Sequence, residues 1–224
     1  MNTHLFALQL MAVQGCLGAF DTLYHHEITE ALPRRLSAQL ELSIHAIRAL
    51  IYSVLFIGLS AWAWHGLWAW VLVVIFVIEI GLTLWDFVIE DQTRLLPATE
   101  RVTHTILAIN GGAFIMLLLL NSQAWAGQAN GLVWQPQGGL SVFLALCGVG
   151  VGVSGLRDGF ASLALWRLKN KKLGTEKAAV SFGATPQQVL VTGATGFVGQ
   201  LLVQALLADG HQVTVLTRQP KRAA

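Results

Sequence analysis

Four pairs of ionisable residues recur at the same four-residue spacing inside otherwise apolar stretches: Asp21 with His25, Glu41 with His45, Asp86 with Glu90, and Glu100 with His104. On an α-helix that spacing puts both members of a pair on one face, one turn apart. Carboxylates and imidazoles displayed together are ligands suited to Fe, Mn or Zn. Glu79 lies roughly three turns inside the end of its apolar stretch, too deep for its side chain to stretch out to water. The candidate metal-ligating set is therefore His25, Glu41, His45, Glu79, Asp86, Glu90, Glu100 and His104. A second chemical signature stands near the end of the sequence, where Gly193, Gly196 and Gly199 follow a short β-branched run.

The elements that must position these residues are apolar. Of the 224 residues, 54% are hydrophobic and 12% charged, and the mean hydropathy is +0.60, values that ordinary soluble domains do not reach. A bilayer core of about 30 Å needs roughly 20 helical residues. Five stretches qualify, residues 5–24, 43–64, 66–90, 102–121 and 140–166, the last interrupted by Arg157 and Asp158 and so predicted to span to Leu156 and continue along the surface. No basic n-region or small-residue cleavage site precedes the first stretch, which is read as a retained helix.

Orientation follows from the loops. Arg34 and Arg35 lie in the first, Arg94 and Arg101 in the third, and Arg167, Lys169, Lys171, Lys172 and Lys177 follow the fifth stretch, while the second and fourth loops carry no Lys or Arg. Cytoplasmic loops retain that excess, so the expected topology is an integral membrane protein with its N-terminus outside and its C-terminus in the cytoplasm. Trp62, Trp64, Trp68 and Trp70 flank the second loop as an interfacial belt. Gly148, Gly150, Gly152 and Gly155 offer a small-residue face for close helix packing. Cys16 and Cys147 both fall in apolar stretches and form neither a disulfide framework nor a CxxC site.

A shift of 65 residues lays Asp21 on Asp86 and His25 on Glu90, while Glu41/His45 and Glu100/His104 are both Glu-x-x-x-His, which implies a duplicated helical hairpin. With odd helices running inward and even ones outward, all four pairs fall at the cytoplasmic end of one bundle. The arrangement resembles, in kind, the carboxylate and histidine sites of di-iron helical bundles, though the spacing departs from their Glu-x-x-His. Two other readings stand beside a di-metal site. A haem could be held between His45 and His104, or the charges could form an interfacial network with Arg34, Arg35, Arg48, Arg94 and Arg101.

Residues 188–218 read QVLVTGATGFVGQLLVQALLADGHQVTVLTR. This is strand, glycine turn, helix, strand, the order that brings backbone N–H groups and a helix N-terminus to a pyrophosphate. VTGATGFVG with LLADGHQVTVLTR resembles the N-terminal end of the NAD(P)-dependent epimerase/dehydratase family, the extended short-chain dehydrogenases. The resemblance implies a dinucleotide held at Gly193, Thr195, Gly196, Phe197, Val198 and Gly199, with Arg218 at the end of the second strand selecting the cofactor. A guanidinium there favours NADP over NAD.

The resemblance does not extend to catalysis. The family's Tyr-x-x-x-Lys is absent, since Tyr24 and Tyr52 have no lysine four residues on. A single strand-helix-strand unit cannot cover both faces of a parallel sheet, so the sequence is expected to be a fragment. The expected fold is thus an α-helical membrane bundle of about five transmembrane helices (residues 1–168), a basic and polar linker (169–187), and the first β-α-β unit of a Rossmann α/β domain (188–224).

Three functions compete: a membrane-anchored NAD(P)-dependent oxidoreductase or epimerase acting on a lipophilic substrate, a metal- or haem-binding redox module coupled to an NAD(P)H domain, and a non-catalytic nucleotide sensor. The expected partners are the bilayer and a dinucleotide. The short basic cluster after the fifth stretch reads as a contact to anionic lipid and not to nucleic acid.

Overall fold

A computed structural model describes residues 2–29, 32–93, 95–178 and 185–217, without the side chains of Arg34, Phe197 and residues 172–178. It divides into two compact units, Met1–Leu168 and Lys169–Ala224. The described residues of the first contain α1 (Thr3–Asp21), α2 (Gln39–Ser60), α3 (Leu67–Thr93), α4 (Ala98–Ala126) and the start of α5 (Gly139–Ala178). All five helices are long and apolar enough to cross a membrane. Proline is kept out of their interiors: Pro97 caps α4 at φ −55°, where its missing N–H costs nothing.

The first helix does not end where hydropathy fades. It widens at Thr22–Thr29 into a π-helical stretch, a form in which the hydrogen bonds reach to i+5 and which clusters at functional sites. The second ends sooner than hydropathy predicts, because residues 62–64 leave the helix. Trp62–His65 forms strand β1, antiparallel to β2 (Gly131–Trp134) with Trp62 opposite Trp134. The Trp64 indole donates to the Gly58 carbonyl at 2.9 Å and closes the corner. Hydropathy carries no information on such a pairing, which joins segments from two different loops.

Arg157 and Asp158 lie inside one continuous helix. Arg157 donates to Asp158 at 2.7 Å and pairs with Glu27, so the two charges are compensated in place and α5 continues. The helix runs on through residues 169–178, the first part of the expected linker. Along α5, Gly148, Gly152 and Gly155 press on α2: added Cβ atoms would lie 2.6 Å from Ile57, 2.6 Å from Ser53 and 2.8 Å from Ala49. Gly150 has open space instead. The core of the bundle centres on Leu8, Met11, Leu55, Phe76, Phe114 and Leu118.

In the second unit, β3 (Gln188–Thr192) and β4 (Gln212–Leu216) pair in parallel, Gln188 opposite Gln212 through Thr192 opposite Leu216, and α6 (Phe197–Ala208) connects them. Val191, Ala194 and Leu206 form its core, with Val189, Val203, Val213 and Val215 packed around them. Strand alternation turns Leu190 and Leu216 to the opposite face, where they are 64% and 63% exposed.

Candidate functional site

The polar residues of α1 to α4 converge. Asp21 closes α1, and its Oδ1 lies 2.7 Å from His25 Nδ1 while its Oδ2 lies 3.1 Å from His104 Nε2 on α4. The same pattern recurs on the other hairpin, where Asp86 Oδ2 of α3 is 2.9 Å from His45 Nε2 of α2. Glu90 stands between the two histidines, with Oε1 3.6 Å from His45 Nε2 and Oε2 3.3 Å from His104 Nδ1. The π-helical widening brings His26 in beside His25. The His26 ring stacks on His45 at 4.4 Å, and its Nε2 lies 3.6 Å from Asp21 and 3.9 Å from Glu100.

Among the described residues, three sets of ligand atoms fall within 4.8 Å of one another: Asp21, His26 and His104; Glu41, His45 and Glu90; and Glu90, Glu100 and His104. Glu90 and His104 each belong to two sets, so the three form a continuous patch of donors. Its members are almost fully shielded, Glu41 and Glu100 at 0% and Glu90 at 1% exposure. Burial on that scale requires partners or a cation. His26 Nε2 is buried without a hydrogen-bond partner, as is His25 Nε2.

Of the eight residues the sequence singles out, Glu41, His45, Glu90, Glu100 and His104 enter these sets. His25 is bound to Asp21 at its edge, and Asp86 supports His45 from outside them. Glu79 lies elsewhere. Arg48 holds it through Nη2 to Oε1 at 3.2 Å and Nε to Oε2 at 3.4 Å, while Arg48 Nη1 reaches Asp86 at 2.6 Å. Thr83 donates a further 3.0 Å bond to Glu79. Its depth therefore has a structural explanation, an ion pair with a residue on the neighbouring helix. His26 and Asp21 are the members that the sequence-derived ligand set omits. The run of histidines at the end of the first stretch was a signal, but α-helical spacing points only one of them inward.

Beside the patch runs a cavity of about 690 Å³, bordered at its polar end by Asp21, His26, His45, Asp86 and His104.

The glycine turn is built on contacts that exclude side chains. Gly193 ends β3 at φ +74°, and a Cβ on Gly199 would lie 2.1 Å from the Gly193 carbonyl oxygen and 2.7 Å from Ala194 Cα. Gly196 is the N-cap of α6 in an extended conformation, its N–H donating to Gly193 O at 3.0 Å. First glycine for the turn, second for the approach to the helix start and third for helix packing is the division of labour a dinucleotide fingerprint demands. Thr195 lies in the turn, and Val198 is 74% exposed in the first turn of α6. Phe197 opens the helix, and Arg218 lies outside the described residues.

Comparison with known proteins bears on this second unit. The Epimerase family protein SDR39U1 homolog, chloroplastic, of Arabidopsis thaliana is 60% identical over 35 residues, which is 16% of this chain. The chain spans 10% of the length of that relative. No solved structure matches the chain. Residues 189–224, the segment that holds the glycine turn, match the NAD dependent epimerase/dehydratase family.

Proposed function

We propose that this is a multi-span membrane protein that carries an NAD(P)-binding unit of the epimerase/dehydratase kind and serves NAD(P)-dependent oxidation–reduction or epimerisation. The observation that carries the reading is Gly199 packed against Gly193 O at the head of α6, between parallel strands. Such a turn leaves backbone N–H groups and a helix N-terminus for a pyrophosphate. The exposed Leu190 and Leu216 support a second layer covering that face, since a parallel sheet is covered on both faces.

The membrane reading draws on the outward apolar belt. Val74 and Val77 on α3, Ile109 on α4 and Val153 on α5 are all more than half exposed, and a continuous apolar surface of that kind is what lipid covers. The loop charges then put the dinucleotide unit in the cytoplasm, and Arg218 favours NADP. Titration of the purified chain with NADPH and NADH, followed by nucleotide fluorescence, tests the reading. Saturable binding with tighter NADPH supports it, and absence of binding by either nucleotide overturns it.

A second reading concerns the bundle, and the position of Glu90 favours it: the donor patch would hold one or two ions of Fe, Mn or Zn, with Glu90 shared between them. Imidazole and carboxylate donors suit those metals. In this reading Fe or Mn, unlike redox-inert Zn, would accept reducing equivalents that the dinucleotide unit would supply. Haem is disfavoured, because one carboxylate fills the space between His45 and His104 that a porphyrin would need. Metal analysis of the detergent-purified protein by plasma mass spectrometry decides between a metal centre and a network of buried ion pairs.

A further inference from the structure

The cavity beside the patch is much longer than a metal site needs. From Asp21, His26 and His104 it passes Arg48 and Tyr52 and reaches Phe56, Ile115 and Val151, deep in the apolar part of the bundle. Three of its lining glycines, Gly18, Gly112 and Gly150, have open space where a Cβ would stand. The duplication explains part of the room. The shift of 59 residues that lays His45 on His104 lays Tyr52 on Gly111, so one hairpin has a phenol where the other has nothing. Leu23, Ile80 and Leu84 line the cavity and are also 62%, 45% and 61% exposed. Its mouth therefore opens on the lateral apolar surface.

We infer that the cavity is a binding chamber for a single-chain lipophilic alcohol taken from the bilayer, its hydroxyl at the Asp86/His45 end and its chain along the glycine-lined wall. The inference rests on the reading of the five helices as membrane spans. The head group follows from the polar end. Arg48 there lies between Glu79 and Asp86, at 3.2 Å and 2.6 Å. A formal anion finds no unclaimed guanidinium at that end. Four buried atoms on lining residues, His26 Nε2, His45 Nδ1, Asp86 Oδ1 and His104 Nδ1, have no hydrogen-bond partner. A hydroxyl suits them because it donates to a carboxylate oxygen and can donate to or accept from an imidazole nitrogen. Leaving such atoms unmet in a dry site is costly.

The test measures binding of tritiated hexadecanol to the full chain in lipid nanodiscs, against unlabelled hexadecanol and hexadecanoate as competitors. Expected is saturable binding of one hexadecanol per chain, displaced at least about tenfold less well by hexadecanoate than by unlabelled hexadecanol. Gly18→Leu and Gly112→Leu would each fill the chamber and weaken binding by about tenfold or more. Gly81→Leu, also with open space at its Cβ but outside the cavity lining, leaves binding unchanged and controls for a general effect of leucine in a span. No saturable binding, equal displacement by hexadecanoate, or an equal loss in Gly81→Leu overturns the chamber. Release of the protein from membranes by an alkaline wash would instead overturn the membrane reading beneath it.

Discussion

Asp21 at the end of α1 meets His104 of α4 across the bundle, Oδ2 to Nε2 at 3.1 Å. Asp86 of α3 repeats the contact with His45 of α2 at 2.9 Å, so each hairpin gives its aspartate to the histidine of the other. The two halves part company about one to two turns deeper along the helices. Arg48 and Glu79 there stand in register with Leu107 and Gln14, and only one half carries an ion pair.

If the patch holds metal, His104→Ala removes a donor common to two ligand sets and Glu90→Ala removes the other. Each is expected to lower bound metal to below about a tenth, on the scale by which loss of even outer-shell groups weakens sites roughly 10–100-fold. His25→Ala, at the edge, costs less. Because imidazoles must be neutral to ligate, retention falls as the pH is lowered. Plasma mass spectrometry after dialysis at about pH 8 and about pH 5.5 reads both effects.

Arg48→Leu leaves Glu79 and Asp86 buried without their guanidinium. Removing one partner of a buried pair costs about 3–5 kcal/mol, seen as a lower unfolding temperature in detergent. The double variant Arg48→Leu/Glu79→Gln copies the Leu107/Gln14 half and is expected to recover much of that loss. A double variant as unstable as the single one would show that the pair is not what Arg48 serves.

Gly199→Ala places a methyl group on the Gly193 carbonyl and is expected to abolish nucleotide binding by disrupting the turn. Gly196→Ala meets the same oxygen at 3.3 Å, a contact that a small shift relieves, and should weaken binding less. NADPH fluorescence titration ranks the two, and the opposite order would contradict the packing described for α6.

Arg218→Ala is expected to reduce NADPH affinity by roughly tenfold or more, the worth of a charge-assisted hydrogen bond of about 1.5–3 kcal/mol, with little change for NADH. Equal effects on both nucleotides would remove Arg218 from the 2′-phosphate.

Topology is read by labelling single cysteines in a cysteine-free background. A thiol replacing Gln128 should react with an impermeant maleimide in intact cells, and one replacing Lys171 only after lysis. The reverse pattern would put the dinucleotide unit outside.

The glycine turn was legible because every requirement is local: strand, turn and helix follow one another within residues 188–208. The apolar helices were legible for the same reason, from length and composition. What the sequence hides depends on partners far along the chain. Glu79 stands out as a buried carboxylate, but the cation that claims it is 31 residues away on another helix. Strands β1 and β2 are four residues each and lie in separate loops, too short for periodicity to register. His26 is hidden by geometry, since α-helical spacing aligns Asp21 with His25 and turns the next residue about 100° away.

The π-helical stretch at Thr22–Thr29 thereby makes the end of the first helix sensitive to residue number as well as residue type. Two adjacent imidazoles reach inward only while the turn stays wide. Deleting one residue between Thr22 and Thr29 would let the segment relax to an ordinary α-helix and swing His26 off His45 with no amino acid exchanged. No later point substitution restores that phase; only an inserted residue does.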